Sequence, residues 1–173
     1  RLSRVLTGDP SGMQTAAITL THDTLDHLVQ VEQPAGTTTM SYDLAGRKTS
    51  MADSDLGTWR YVYFRNGLLK KQTDACGNAI TLGYDNVGRL KSKSMVAGTN
   101  CPTSKLEQRY ADVYFTYGAN HSATNRSRGQ LTAIIYTYDV YQKTLTYNAK
   151  GQLASERAVI TGAPSFAYVT QYG

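Results

Sequence analysis

Tyr42-Asp43-Leu44-Ala45-Gly46-Arg47-Lys48 returns, barely altered, as Tyr84-Asp85-Asn86-Val87-Gly88-Arg89-Leu90. The two stretches lie 42 residues apart, and halfway between them Tyr63 is followed by Gly67 at the same internal spacing. Tyrosine therefore recurs every 21 residues, at Tyr42, Tyr63 and Tyr84. Tyr147 lies 63 residues beyond Tyr84, which reads as three further periods, and Tyr168 lies 21 beyond that. Tyr147 carries its glycine four positions on, at Gly151. Self-similarity at a fixed period means that one small unit has been copied and stacked.

Weaker copies fill other slots. His22-Asp23-Thr24-Leu25-Asp26-His27-Leu28 is one residue out of phase, with glycine and arginine replaced. Asn125-Arg126-Ser127-Arg128-Gly129-Gln130-Leu131 reads as a copy whose tyrosine is lost, and the slot near residue 105 is unrecognisable. A second turn signal alternates with the first, at Asp9-Pro10-Ser11-Gly12, Gln33-Pro34-Ala35-Gly36, Asp53 to Gly57 and Asp74-Ala75-Cys76-Gly77. Each unit thus holds two turns separated by two short runs. The whole of residues 1–173 reads as one repeat segment, with clear units over about 13–95 and 129–173 and a degenerate, loop-rich unit over about 96–128. Arg1-Leu2-Ser3 resembles the tail of a motif and Tyr168 opens another copy, so a segment of a longer protein is expected.

The runs between turns read as strands. Trp59, Tyr61 and Tyr63 alternate with Arg60, Val62 and Phe64. Val113, Phe115 and Tyr117 alternate with Tyr114 and Thr116, and Ile134, Tyr136 and Tyr138 with Ile135 and Thr137. Alternation of period two marks a strand with one face toward a core. No sustained helical stripe is present. Aspartate at the turn can bond backbone two residues on, and glycine supplies positive φ where the chain reverses. An all-β array of antiparallel hairpins follows, with about 12–14 strands from two per unit.

Composition agrees. Hydrophobic residues make up 40% of the chain and tyrosine outnumbers phenylalanine 13 to 3, which suits half-buried pleated surfaces. The net charge of +5 is dispersed, whereas nucleic-acid binding calls for clustering on one face. No apolar run approaches the length of a membrane helix. Neither nucleic acid nor membrane insertion is expected.

At this point the residues carry a family resemblance. Tyr-Asp-x-x-Gly-Arg at this period resembles the YD repeat of bacterial Rhs and wall-associated proteins, insecticidal toxin-complex C subunits and animal teneurins. The resemblance covers nearly the whole chain, most weakly over 95–124. It implies a curved sheet forming an arc of a β-shell, which in the bacterial toxins encloses a C-terminal toxic domain. The motif residues Tyr42, Asp43, Gly46, Arg47, Tyr63, Gly67, Tyr84, Asp85, Gly88, Arg89, Gly129, Tyr147, Gly151 and Tyr168 are then scaffold. The family's aspartyl self-cleavage motif pairs two Asp-Pro-x-Gly sequences, and only one stands here, at Asp9 to Gly12.

Little chemistry remains. His22, His27 and His121 are too scattered for a metal set, so no metal, cofactor or enzymatic activity is expected. Cys76 and Cys101 occupy comparable turns of adjacent units. A bridge requires Cα atoms within about 7 Å, so the turn at Asn100-Cys101-Pro102 would have to lean over its neighbour; the spacing leaves bridged and free states both open. The expected role is a structural segment of a secreted or cell-surface shell, its partners the other YD repeats of its parent chain and an enclosed toxin domain. The alternative is an adhesion array that contacts surface glycans through exposed aromatics such as Trp59.

Overall fold

The computed structural model describes residues 2–8, 14–101, 112–119, 126–137, 141–160 and 166–172. The expected turn at Asp9 to Gly12 and the slot near residue 105 lie outside these residues, as do Tyr138 and His121.

The fold is all-β. Two compact units divide the chain, one comprising Arg1–Ala79 with Gly98–Pro102, the other Ile80–Ala97 with Thr103–Gly173. The first holds β1 (Leu2–Gly8), β2 (Gln14–His22), β3 (Leu28–Gln33), β4 (Gly36–Tyr42), β5 (Lys48–Asp53), β6 (Gly57–Tyr63) and β7 (Leu69–Thr73). Each pairs antiparallel with the next in chain order. The second unit holds β8 (Ala79–Tyr84, its first residue belonging to the first unit), β9 (Leu90–Val96), β10 (Val113–Tyr117), β11 (Leu131–Tyr136), β12 (Tyr141–Tyr147), β13 (Leu153–Ile160) and β14 (Phe166–Gln171). Here too pairing is antiparallel and sequential from β9 onward. The fourteen strands and the antiparallel hairpin array agree with the sequence reading.

Alternation sets the faces. Along β4, Thr38, Met40 and Tyr42 are half-buried while Thr37, Thr39 and Ser41 are exposed. Along β6, Trp59, Tyr61 and Tyr63 turn in, and Arg60 and Val62 turn out. The register aligns Met40 with Met51 and Met51 with Trp59, an apolar stripe across three strands. β10 alternates as expected. β11 does not, since Ile135 and Tyr136 are both exposed, and the Tyr136 ring meets Tyr141 edge-on at 5.4 Å.

Within each unit the sheet is a single layer. Among the described residues the apolar side chains that are truly buried are Val113 and Ala158. Large apolar groups such as Leu44, Val62 and Tyr168 stay exposed. A globular domain buries its sheet faces against a second layer; the described residues supply none.

The phasing of the middle region differs from the sequence reading. Among the described residues, the span from Tyr84 to Tyr147 holds two strand pairs rather than three, because β9 pairs directly with β10, β10 with β11 and β11 with β12. The extra residues lie in the two longest connections, 97–112 and 118–130. The tyrosine taken as lost from the copy at Asn125 to Leu131 is Tyr117, which closes β10 before the lengthened turn. Tyr168 is also reassigned. It sits in the middle of β14 opposite Ala158, whereas the other motif tyrosines each end a strand.

Glycine decides the turns. Gly46 and Gly67 have φ of 74° and 89°, a region costly to other residues, and Asp26 fills the same position at 66° where glycine is absent. A Cβ at Gly46 would also lie 2.8 Å from His27 Nε2, whereas none would meet anything within 4 Å at Gly67. Gly67→Val should therefore cost about 1–2 kcal/mol, the left-handed backbone penalty alone, and Gly46→Val clearly more. Urea denaturation of the two variants tests this ordering, and equal losses would show that the His27 contact carries no weight.

Candidate functional site

The repeated feature with the most elaborate chemistry is the five-residue turn and its reach to the neighbouring unit. In the turn 43–47, Asp43 N–H donates to the Arg47 carbonyl and Gly46 N–H to the Asp43 carbonyl, both at 2.9 Å. Asp43 Oδ1 accepts from the Ala45 N–H at 2.9 Å and the Arg47 N–H at 3.0 Å. Its Oδ2 accepts from Arg47 Nε and Nη2, both at 2.7 Å. One carboxylate thus satisfies the loop backbone and fixes the arginine's direction.

That direction is toward the next unit. Arg47 Nη1 donates to the Phe64 carbonyl at 3.1 Å, and its guanidinium lies 5.0 Å from the centroid of the Tyr63 ring. The Tyr63 hydroxyl donates back to the Lys48 carbonyl at 2.8 Å. The turn at 85–89 repeats the pattern, with a different carbonyl accepting from the arginine. Asp85 accepts from the Val87 and Arg89 N–H groups and from Arg89 Nε. Arg89 then stands 4.2 Å from the Tyr117 ring and donates to the Gly129 carbonyl, while the Tyr117 hydroxyl donates to the Leu90 carbonyl. Register explains the meeting, since continuing the pairs Met51↔Trp59 and Ser50↔Arg60 brings Tyr63 level with Arg47, and continuing Val113↔Lys93 and Tyr114↔Ser92 brings Tyr117 level with Arg89.

Diverged copies keep the geometry with other groups. His27 bonds to Asp23 through Nδ1 at 2.9 Å and stacks on Tyr42 at 4.8 Å, and the Tyr42 hydroxyl donates to the Leu28 carbonyl. His27 therefore does the arginine's work, a contact its sequence slot suggested but did not reveal. Asn148 accepts from the Lys150 and Gln152 N–H groups, and Gln130 Nε2 donates to the Gly151 carbonyl at 3.0 Å. The Tyr147 hydroxyl donates to the Leu131 carbonyl at 2.7 Å. The turn 64–68 is the plainest copy, with Asn66 Oδ1 accepting from the Leu68 N–H at 3.3 Å. Tyr84 closes β8.

At the other end of the strands, the turn 74–78 uses the same clamp, with Asp74 holding the N–H and the side-chain amide of Asn78. Turns there stack closely, Gly36 against Ser54 and Gly57 against Ala75. Cys76 and Cys101 are joined in a disulfide with Cα atoms 4.9 Å apart, so the long connection after β9 does lean over the 74–78 turn.

Electrostatics follow these contacts. The Arg47 guanidinium, then its N–H, hold the Asp43 carboxyl below the ordinary carboxylate value. Burial pushes the Asp85 carboxyl up, but the hydrogen bonds from Arg89 and Val87 outweigh it and the net shift is downward. On β12 and β13, Lys143 Nζ donates to Glu156 Oε1 at 2.6 Å, and this bond raises the Lys143 value. Among the described residues no three His, Cys, Asp or Glu side chains are placed to hold a metal, and no helix is long and apolar enough to cross a membrane. Trp59 is not an exposed aromatic. It is half-buried on the apolar stripe, and its indole nitrogen is shielded with no hydrogen-bond acceptor among the described residues.

Residues 22–58 match the family model of the RHS repeat, a span that begins at the His22 turn and runs into β6. No curated protein matches the chain by sequence. Solved structures do match in fold. The Photorhabdus luminescens Tc holotoxin pore bearing a TccC3 mutation is 15% identical with a TM-score of 0.67, over 98% of this chain and 10% of that one. The crystal structure of TcdB2-TccC3 is 14% identical with a TM-score of 0.65, over 99% of this chain and 10% of that one. The TcdB2-TccC3-Cdc42 structure is 16% identical with a TM-score of 0.63, over 91% and 8%. The chain thus spans about a tenth of the length of these structures, and at such identities the likeness is one of fold.

The clamp predicts a response to acid. Asp43 and Asp85 have folded values below the ordinary 3.8, so their contribution is fully present above that value and is lost as pH falls through the folded one. The melting temperature should drop on acidification below pH about 4. Asp43→Asn with Asp85→Asn should start lower at neutral pH and fall less, since Asn148 shows that an amide can hold this turn. Parallel pH profiles for the two proteins would exclude the carboxylates as the acid-sensitive groups.

Proposed function

Starting from a chain that carries an RHS repeat at residues 22–58 and shares its fold with part of the Tc toxin assemblies, we propose that it is a catalytically silent segment of a YD-repeat shell. That shell, in a secreted or cell-surface parent protein, encloses a C-terminal toxin domain. The observation that carries this reading is the single-layer sheet whose distinctive residues are spent on turns and on contacts between successive units. Such a sheet gains little by standing alone, because each unit's clamp is completed by the next unit's tyrosine and carbonyl. Its natural partners are further repeats of the same parent chain, so residues 1–173 act as one repeat segment. Its motif residues, from Tyr42 to Gly151, act as scaffold.

The physics of the wall supports enclosure over chemistry. A sheet of sequential antiparallel hairpins extends by about 4.8 Å per strand without any crossover, which is an efficient way to enclose volume. Several charged groups among the described residues are engaged in the scaffold. Asp43 and Asp85 are bound by their own turns, and Lys143 is bound by Glu156.

Expression of the longer parent with and without this segment tests the proposal. The segment should protect the downstream domain, so its deletion should expose that domain to added protease. Equal protection in the two proteins would remove the enclosure reading.

A further inference from the structure

We propose that the Cys76–Cys101 disulfide is a reductant-sensitive clasp, which fastens the start of the long β9–β10 connection to the turn 74–78 in an oxidising medium and releases it in a reducing one. Three observations converge on this segment. The connection has no counterpart in the regular units, where turns span about five residues, yet its first residues are docked closely. Gly98 N–H donates to Asn78 Oδ1 at 2.8 Å and Asn100 N–H donates to the Cys76 carbonyl at 3.1 Å. Gly98 packs so closely on the backbone of Cys76 and Gly77 that any Cβ there would overlap it.

The N–H groups of Gly98 and Asn100 bond to half-buried partners, one a side-chain oxygen and one a carbonyl, and the covalent bond adds a constraint of its own. The bond is also reachable. Cys101 is exposed and Cys76 half-buried, so an attacking thiolate has access at the Cys101 sulfur. Attack there forms a mixed disulfide with Cys101 and expels the Cys76 thiolate, which takes up a proton. The second thiol of a dithiol reductant then displaces Cys101 as its thiolate. The protein gains two electrons and two thiols, and the reductant leaves as its own disulfide.

The rest of the turn array is indifferent to this chemistry, because its clamps are carboxylates, amides and arginines rather than sulfur. The device is thus local. Export keeps the clasp shut, and entry into a thiol-rich compartment opens one connection while the sheet stays intact.

Amide hydrogen exchange of the whole chain, followed by NMR with and without a dithiol, tests this. Reduction should speed exchange at Gly98 and Asn100 by about tenfold or more, while Gly46 and Gly88, in turns without sulfur, change by less than about twofold. Cys101→Ser should reproduce the reduced pattern without reductant, which separates the bond from any other effect of the dithiol. Unchanged protection at Gly98 and Asn100 would overturn the proposal. So would loss of protection at Gly46 and Gly88 together with them, since that would make the bond a staple of the whole fold.

Discussion

The structure depends on one carboxylate doing two jobs at the turns 43–47 and 85–89. Asp43 and Asp85 each accept from the N–H groups two and four residues on, and each also grips the arginine at the turn's end. The first job closes a hairpin. The second aims a cation at the next unit, so local turn chemistry becomes a link between repeats. In an array where each unit touches only its neighbours, stability is the sum of unit terms and interface terms. Here the interface term has an identifiable source in the cation over the tyrosine ring, the tyrosine hydroxyl on the preceding carbonyl and the guanidinium on the following one.

The two ends of the strands solve the stacking problem differently. At the end carrying the tyrosines, long side chains link one turn to the next. At the other, Gly36, Gly57 and Gly98 allow turns to approach until backbone meets backbone or a short side chain. The disulfide belongs to that second end and replaces side-chain reach with a covalent bond where the connection has grown long. The single layer follows from the same design. Because the units hold each other along the sheet, the apolar stripe through Met40, Met51 and Trp59 persists without a second layer among the described residues.

Much of this was legible in the sequence because it is local. Tyrosine and glycine at a fixed period, alternation in β6 and β10, and aspartate bonding two residues on are all encoded over a few positions. The bonds that cross units were not, because sequence does not show which strand position faces Arg47 or His27 until the register is known. Arithmetic misled in the middle of the chain. Two units with lengthened connections occupy the span of three regular ones, so Tyr147 falls on the period by coincidence, and Tyr117 escapes the motif because its glycine, Gly129, stands twelve residues on rather than four. Tyr168 kept the period while lying mid-strand opposite Ala158. Spacing locates a repeat only while every turn keeps its length.

The central claim is that the turn cation couples one unit to the next. A double-mutant cycle between Arg47→Met and Tyr63→Leu, read by urea denaturation, measures that coupling most directly. The account predicts an interaction of about 0.5–1 kcal/mol, as for a cation over a partly exposed ring, with Asp43→Asn reducing it. Additive single-mutant losses, with no interaction, would contradict it and reduce each turn to a hairpin closure of purely local effect.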